Sequence, residues 1–321
     1  MNRRELLLTA LAGALAGNKT WAQILPGEPI HLVVGFPPGG GTDVLARLLS
    51  QHLSNLWNVP IVVENRPGVS GSLAASYVAK RPPDGKTLLM AHVNNVIGPS
   101  LNPKLDYSAD DFTAIALVGA TPLLLICGEK QSVRTVPELV KLCRENPGQI
   151  SFGSAGTGSI QHLALELFKD KAKVDVLHVP YKGGTSEIND LIAGHIDYCF
   201  EGMTTAGPQV NAGRAFALAQ TSARRSSNYP DVPTVAEQGF PDYQATVWFG
   251  VVGPAGLPKS VSDRMNADIN TVLQTPEVAQ RLKQFGAQDG GGTVEQFANF
   301  IKSEQEKWAQ IIKASGGSID S

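Results

Sequence analysis

One unit, met twice, limits what this chain can fold into. Ile30-His31-Leu32-Val33-Val34 is a short β-branched, apolar run and reads as a buried strand. It ends in Gly35-Phe36-Pro37-Pro38-Gly39-Gly40-Gly41-Thr42-Asp43, through which no regular element continues. Val44, Leu45, Leu48, Leu49, Leu53 and Leu56 then recur at helical spacing and mark one apolar face, with Thr42 or Asp43 as the natural N-cap. The unit returns as an apolar strand over 150–153, the small-residue loop Ser154-Ala155-Gly156-Thr157-Gly158-Ser159, and a helix marked by Leu163, Leu165, Leu167 and Phe168. Further strands are predicted at 60–64, 86–91, 174–179 and 196–200, and a helix at 186–193. Strands alternating with helices give a mostly parallel sheet with right-handed crossovers. In such sheets ligands bind beyond the carboxyl ends of the strands.

At 321 residues the chain is too long for one small core and suits two α/β lobes of roughly 100–200 residues each. The last third reads as helical, over 261–273 and 276–285, then in a final helix opened by a capping box of Thr293 and Gln296. Phe297, Ile301, Trp308, Ile311 and Ile312 give that helix its apolar face, and Lys302, Glu304, Glu306 and Lys307 a solvated one. The apolar strand 247–252 ahead of these helices reads as the chain crossing back. Lobe 1 is then discontinuous, 23–124 and 246–321, and lobe 2 is 125–245.

The N-terminus reads as a targeting segment, residues 1–22. Arg3 and Arg4 form a basic start, an apolar stretch runs over 6–17, and Thr20-Trp21-Ala22 offers small residues where a signal peptidase reads. Twelve apolar residues are too few to span a bilayer core of ~30 Å. Arg3-Arg4 leaves the twin-arginine route open beside the general one. Export makes a Cys127–Cys143 disulfide conceivable; buried free thiols are the alternative, and Cys199 sits in an apolar strand. A net charge of −2 lacks the basic footprint that neutralises phosphates, which argues against nucleic acid as a partner.

The loop 35–42 has nearly the spacing of a phosphate-binding loop, but Gly41 stands where the lysine would be. What survives is the anion-binding half: glycines that let the backbone approach, outward N–H groups, and the partial positive charge of a helix N-terminus. A plain turn and a nucleotide site are the competing readings; a small anion, such as a carboxylate, fits best. The loop 154–159 makes a similar offer with hydroxyls, although a helix cap in a polar turn looks alike. No nucleophile elbow, His-Glu-x-x-His or EF-hand pattern is present, so no catalytic residue, metal ligand or cofactor is assigned. His52 and His162 read as ordinary helix residues, whereas His92 ends a strand on the ligand side. Asp110-Asp111 reads as a solvated turn.

The loop Gly35 to Asp43, Val63-Glu64-Asn65-Arg66-Pro67-Gly68, Pro83-Asp84-Gly85-Lys86-Thr87-Leu88-Leu89, Ser154 to Ser159, His178-Val179-Pro180-Tyr181-Lys182-Gly183-Gly184 and Pro230-Asp231-Val232-Pro233-Thr234-Val235-Ala236-Glu237 occur in one order that resembles the Bug family. These are extracytoplasmic solute-binding proteins of tripartite tricarboxylate transporters. The resemblance implies an α/β, two-lobed periplasmic-binding-protein fold of type II-like form. Each lobe is then a mostly parallel sheet flanked by helices, closing over one carboxylated solute. It implies a periplasmic monomer that delivers the solute to membrane permease subunits. Phe36, Gly40, Gly41 and Thr42 would hold one end of the ligand, and Ser154, Gly156, Thr157 and Gly158 the other. Glu201 would face the cleft, and Tyr181 and Asn94 are candidates to line it. A sensing module without transport uses the same residues, and an exported hydrolase on this fold is the reading from another class.

Overall fold

The structure, a computed structural model, describes residues 28–314. The targeting segment at 1–22 lies outside them. The strands are β1 (Ile30–Val34), β2 (Ile61–Asn65), β3 (Thr87–His92), β4 (Phe112–Gly128), β5 (Ser151–Ser154), β6 (Leu177–Pro180), β7 (Tyr198–Gly202), β8 (Ala215–Gln220) and β9 (Thr246–Pro254). The helices are α1 (Gly41–Trp57), α2 (Ser72–Ala79), α3 (Val93–Leu101), α4 (Val136–Glu145), α5 (Ile160–Ala172), α6 (Gly184–Ala193), α7 (Met203–Asn211), α8 (Lys259–Leu273), α9 (Pro276–Gln284) and α10 (Val294–Ala314).

The sheets are mixed rather than mostly parallel. In the first lobe β2, β1 and β3 are parallel, and β9 then pairs antiparallel with both β3 and β4. In the second, β6, β5 and β7 are parallel, and β4 runs antiparallel to both β7 and β8. The long strand β4 thus belongs to both lobes. It pairs with β9 as far as Pro122↔Thr246 and with β7 from Leu123↔Gly202. No strand is expected from the sequence at 112–128, because β4 slips register twice against β9 and is buried on both faces over 121–128, so it shows no clean alternation.

Packing explains why the predicted helices form. In the first lobe Leu45, Leu49 and Leu53 of α1 and Met265 and Ile269 of α8 bury against Leu32, Val34 and Val251. Each such side chain taken fully from water contributes about 1.5–3 kcal/mol. A second core is continuous from Val33 and Leu89 through Leu125 to Phe152, Phe168 and Trp308. The final helix, α10, packs on α3, on β4 and on α5, so it touches both lobes. This corrects one expectation for its polar face. Glu304 is buried, accepting from Trp308 Nε1 at 3.0 Å and pairing with Lys307. The capping box of Thr293 and Gln296 is present. Cys127, Cys143 and Cys199 are buried free thiols.

Candidate functional site

A cleft of about 610 Å³ lies between the lobes, and five helix N-termini reach it. The first lobe supplies α1 through Gly41 and Thr42, and α3 through Asn94; the second supplies α5 through Ser159 and Gln161, α6 through Gly184 and Thr185, and α7 through Gly202 and Thr204. Each helix leaves its first N–H groups without an intrahelical partner and carries partial positive charge at that end. Thr121, Leu123, Val247 and Phe249, where β4 and β9 cross between lobes, also line the cleft. Among the described residues that line it there is no lysine or arginine. What this lining offers an anion is helix ends and hydroxyls rather than a cationic side chain.

The first loop bonds the N–H groups of Gly39 and Gly40 within itself and turns the start of α1, Gly41 and Thr42, to the cleft. The N-cap of α1 is Gly40, without a side-chain cap, not Thr42 or Asp43. Asp43 turns back instead and accepts from Gly39 N at 2.9 Å, Arg47 Nε at 2.9 Å and Asn65 Nδ2 at 2.8 Å. Burial opposes the Asp43 charge, but these donors outweigh it and hold the carboxyl down at about 2. Asn65 also donates to the Phe36 carbonyl at 3.0 Å, tying the loop to β2. The Phe36 ring lies 4.8 Å from that of His92, which lies 5.4 Å from Phe249. Burial pushes His92 down to about 3, so it lines the cleft as a neutral ring. Its Nδ1 accepts from Asn94 N at 3.1 Å and caps α3. Asn94 lines the cleft, and its Oδ1 is buried without a hydrogen-bond partner.

The second loop uses its polar atoms internally. Ser154 is fully buried; its Oγ meets His178 Nε2 at 2.7 Å and accepts from Gly156 N at 3.2 Å. The His178 ring stacks on His162 at 3.8 Å, and His162 Nδ1 accepts from Gly158 N at 3.2 Å. Burial, helped by nearby positive charge, lowers both imidazoles to about 4. Ser154, Gly156, Thr157 and Gly158 are therefore not among the residues lining the cleft; their neighbours Ala155 and Ser159 are. Thr157 is exposed, and the Tyr181 hydroxyl donates to Asp190 at 2.8 Å, also off the cleft. Phe36, Gly40, Gly41, Thr42, Asn94 and Glu201 do line it. Ser154 and His178 have the contact of a nucleophile and its base, but Ser154 is sealed from solvent. Among the described residues no group of three His, Cys, Asp or Glu side chains could hold a metal ion.

Sequence reasoning missed Ser70, Thr121, Gln161, Thr185, Thr204 and Thr205. Three of them were within reach of it: Gly183-Gly184 and Glu201-Gly202 follow strands and open helices as the first loop does, which brings Thr185, Thr204 and Thr205 to the cleft.

Residues 45–316 match the tripartite tricarboxylate transporter family receptor. The chain belongs to this family of receptors. It is 39% identical over 314 residues to the UPF0065 protein in the tcbD-tcbE intergenic region of Pseudomonas sp. strain P51, covering 96% of this chain and 94% of that one. It is 34% identical over 301 residues to Protein BugT of Bordetella pertussis, covering 93% and 92%. BugT carries the name of the family that the ordered motifs resemble. The solved structure of R. palustris Rpa4515 with adipate superimposes with a TM-score of 0.79 at 33% identity, covering 91% of this chain and 98% of that one. The two-lobed receptor fold of the family is the fold of this chain.

Proposed function

We propose that this receptor captures a small carboxylate in the periplasm, closes its lobes over it and hands it to a membrane permease rather than transforming it. The observation that carries the reading is the meeting of helix N-termini from both lobes on one cleft without a lysine or arginine in its lining. The adipate held by a relative of the same fold supports it. One ligand carboxylate sits on the free N–H groups of Gly41 and Thr42, beside Phe36 and Asn94. The opposite end meets Ser159, Gln161, Thr185 and Glu201 rather than the buried Ser154. Four or five charge-assisted hydrogen bonds of roughly 1.5–3 kcal/mol each, less the cost of ordering, give about 8 kcal/mol, near micromolar affinity. Residues 28–122 with 246–314 form one moving body and 123–245 the other, exchanging at the pairing switch in β4. A ligand that bridges both favours the closed state by the difference in its contacts to the two states.

Among the described residues no helix is long and apolar enough to cross a membrane. Placement in the periplasm rests on the targeting segment at 1–22, and partnership with a permease on the family. The test is titration calorimetry of the full chain against mono-, di- and tricarboxylates. Micromolar binding of at least one, lost in Gly41→Trp, is the expected result. Binding by none of them, or unchanged affinity in that variant, overturns the reading.

A further inference from the structure

Glu201 sits where an incoming anion would go. It ends β7, lines the cleft and is only 3% exposed. Its Oε1 accepts from Gly202 N at 2.6 Å, the N-cap of α7, and Gln161 Nε2 lies 3.4 Å from Oε2. Its other oxygen lies against Gly184, the first residue of α6, so closely that a methyl group there would overlap it. The protein's own carboxylate thus occupies the converging ends of α6 and α7 and uses up much of their attraction for anions.

Behind it stands Glu187, fully buried, with the Glu201 carboxyl and the Cys199 thiol as its polar neighbours. Burial drives the Glu187 carboxyl far above the usual range, and the neighbouring Glu201 adds to this. Burial raises the Glu201 carboxyl as well, but Gly202 N, Gln161 and Thr205 offer it hydrogen bonds that oppose the rise, so when the pair shares one proton that proton belongs on Glu187 and the negative charge on Glu201, where the donors are. No lysine or arginine among the described residues lining the cleft balances that charge. On the opposite lobe the Asn94 Oδ1 is a buried acceptor without a partner.

We infer that Glu201, positioned by Glu187, sets the specificity of the cleft and selects a carboxylate whose other end carries an ammonium group. This rests on the carboxylate reading above. The ligand's carboxylate takes the open α1 end, its ammonium faces Glu201, and a second carboxylate at that end meets like charge.

The test is calorimetry on the full chain with matched pairs of three to six carbons. In each pair a dicarboxylate is set against the amino carboxylate in which ammonium replaces one carboxylate, at the terminal or α position. The ammonium member is expected to bind at least about 10-fold tighter in the best pair. Glu201→Gln is expected to erase that preference. Glu187→Leu is expected to weaken it and Glu187→Gln, which still offers Glu201 an N–H, to restore it. Dicarboxylates binding as tightly as their partners, or a preference that survives Glu201→Gln, overturns the inference and leaves the carboxylate reading standing. Binding by neither series brings both down. The wild-type ratio decides the matter if a variant does not fold.

Discussion

The loops at 35–43 and 154–159 look alike in sequence, and the structure gives them different work. Both are small-residue turns between a strand and a helix. In the first, Asp43 and Asn65 fasten the loop from behind, and a side chain added at Gly41 would meet nothing within 4 Å. In the second, Ser154, His178 and His162 consume the polar atoms, and Gly158 backs onto the other lobe. Its φ is +77°, and a Cβ would come within 2.9 Å of Leu101 Cδ1 on α3. One loop is open to the cleft, where the proposed carboxylate would sit, and the other is a packed joint. A glycine-rich turn before a helix announces that the backbone comes close to something; only the fold says whether that is a ligand or a neighbouring helix.

The comparison can be broken directly. Gly41→Trp should cost about 100-fold or more in carboxylate affinity, the scale of two charge-assisted hydrogen bonds, with the unfolding midpoint unchanged. Gly158→Val should do the reverse, losing about 2 kcal/mol in urea denaturation because a β-branched residue resists that backbone conformation. Equal affinity losses in the two would erase the distinction between open loop and joint. Ser154→Ala leaves the Gly156 N–H and the His178 ring short of a buried partner, and should lower stability by about 1–2 kcal/mol with a smaller change in affinity.

The Asp43 brace sharpens the picture through pH. Its folded-state value of about 2 lies below the 3.8 of the unfolded chain, so its stabilisation is complete above pH 4 and fades as pH falls toward 2. Denaturation midpoints followed from pH 6 to pH 2 should show about 1–2 kcal/mol of acid sensitivity in the wild type that Asp43→Asn lacks. The smallest effect belongs to the exposed pair of Arg224 and Asp289, one residue on each side of the lobe exchange. Arg224→Ala should change stability by under ~1 kcal/mol.

The helices and strands with clear periodicity were legible beforehand: β1, α1, α5 and α8 follow from apolar spacing. So was the lobe-1 face of the cleft, because Phe36, Gly40, Gly41 and Thr42 lie on one short stretch running from β1 into the start of α1. Of the lobe-2 face, only Glu201 was named from the sequence. Thr185 and Thr204 come to the cleft from separate helices, and Glu187 of α6 stands buried behind Glu201, an arrangement made only when β5, β6 and β7 align.

The amino-acid sequence by itself determined that this chain alternates strands and helices, places glycine-rich turns at strand ends, and shares the ordered motifs of a receptor family. These are local or linear properties, set by backbone sterics and by which residues can bury a face. Only the tertiary structure decided which turn stays open. Whether an N–H is free, a serine sealed or a carboxylate left facing a cleft depends on partners far away in the chain, as Asn65 is to Asp43, His178 to Ser154 and Glu187 to Glu201. Hydrogen-bond donors and acceptors are satisfied in space, not in sequence.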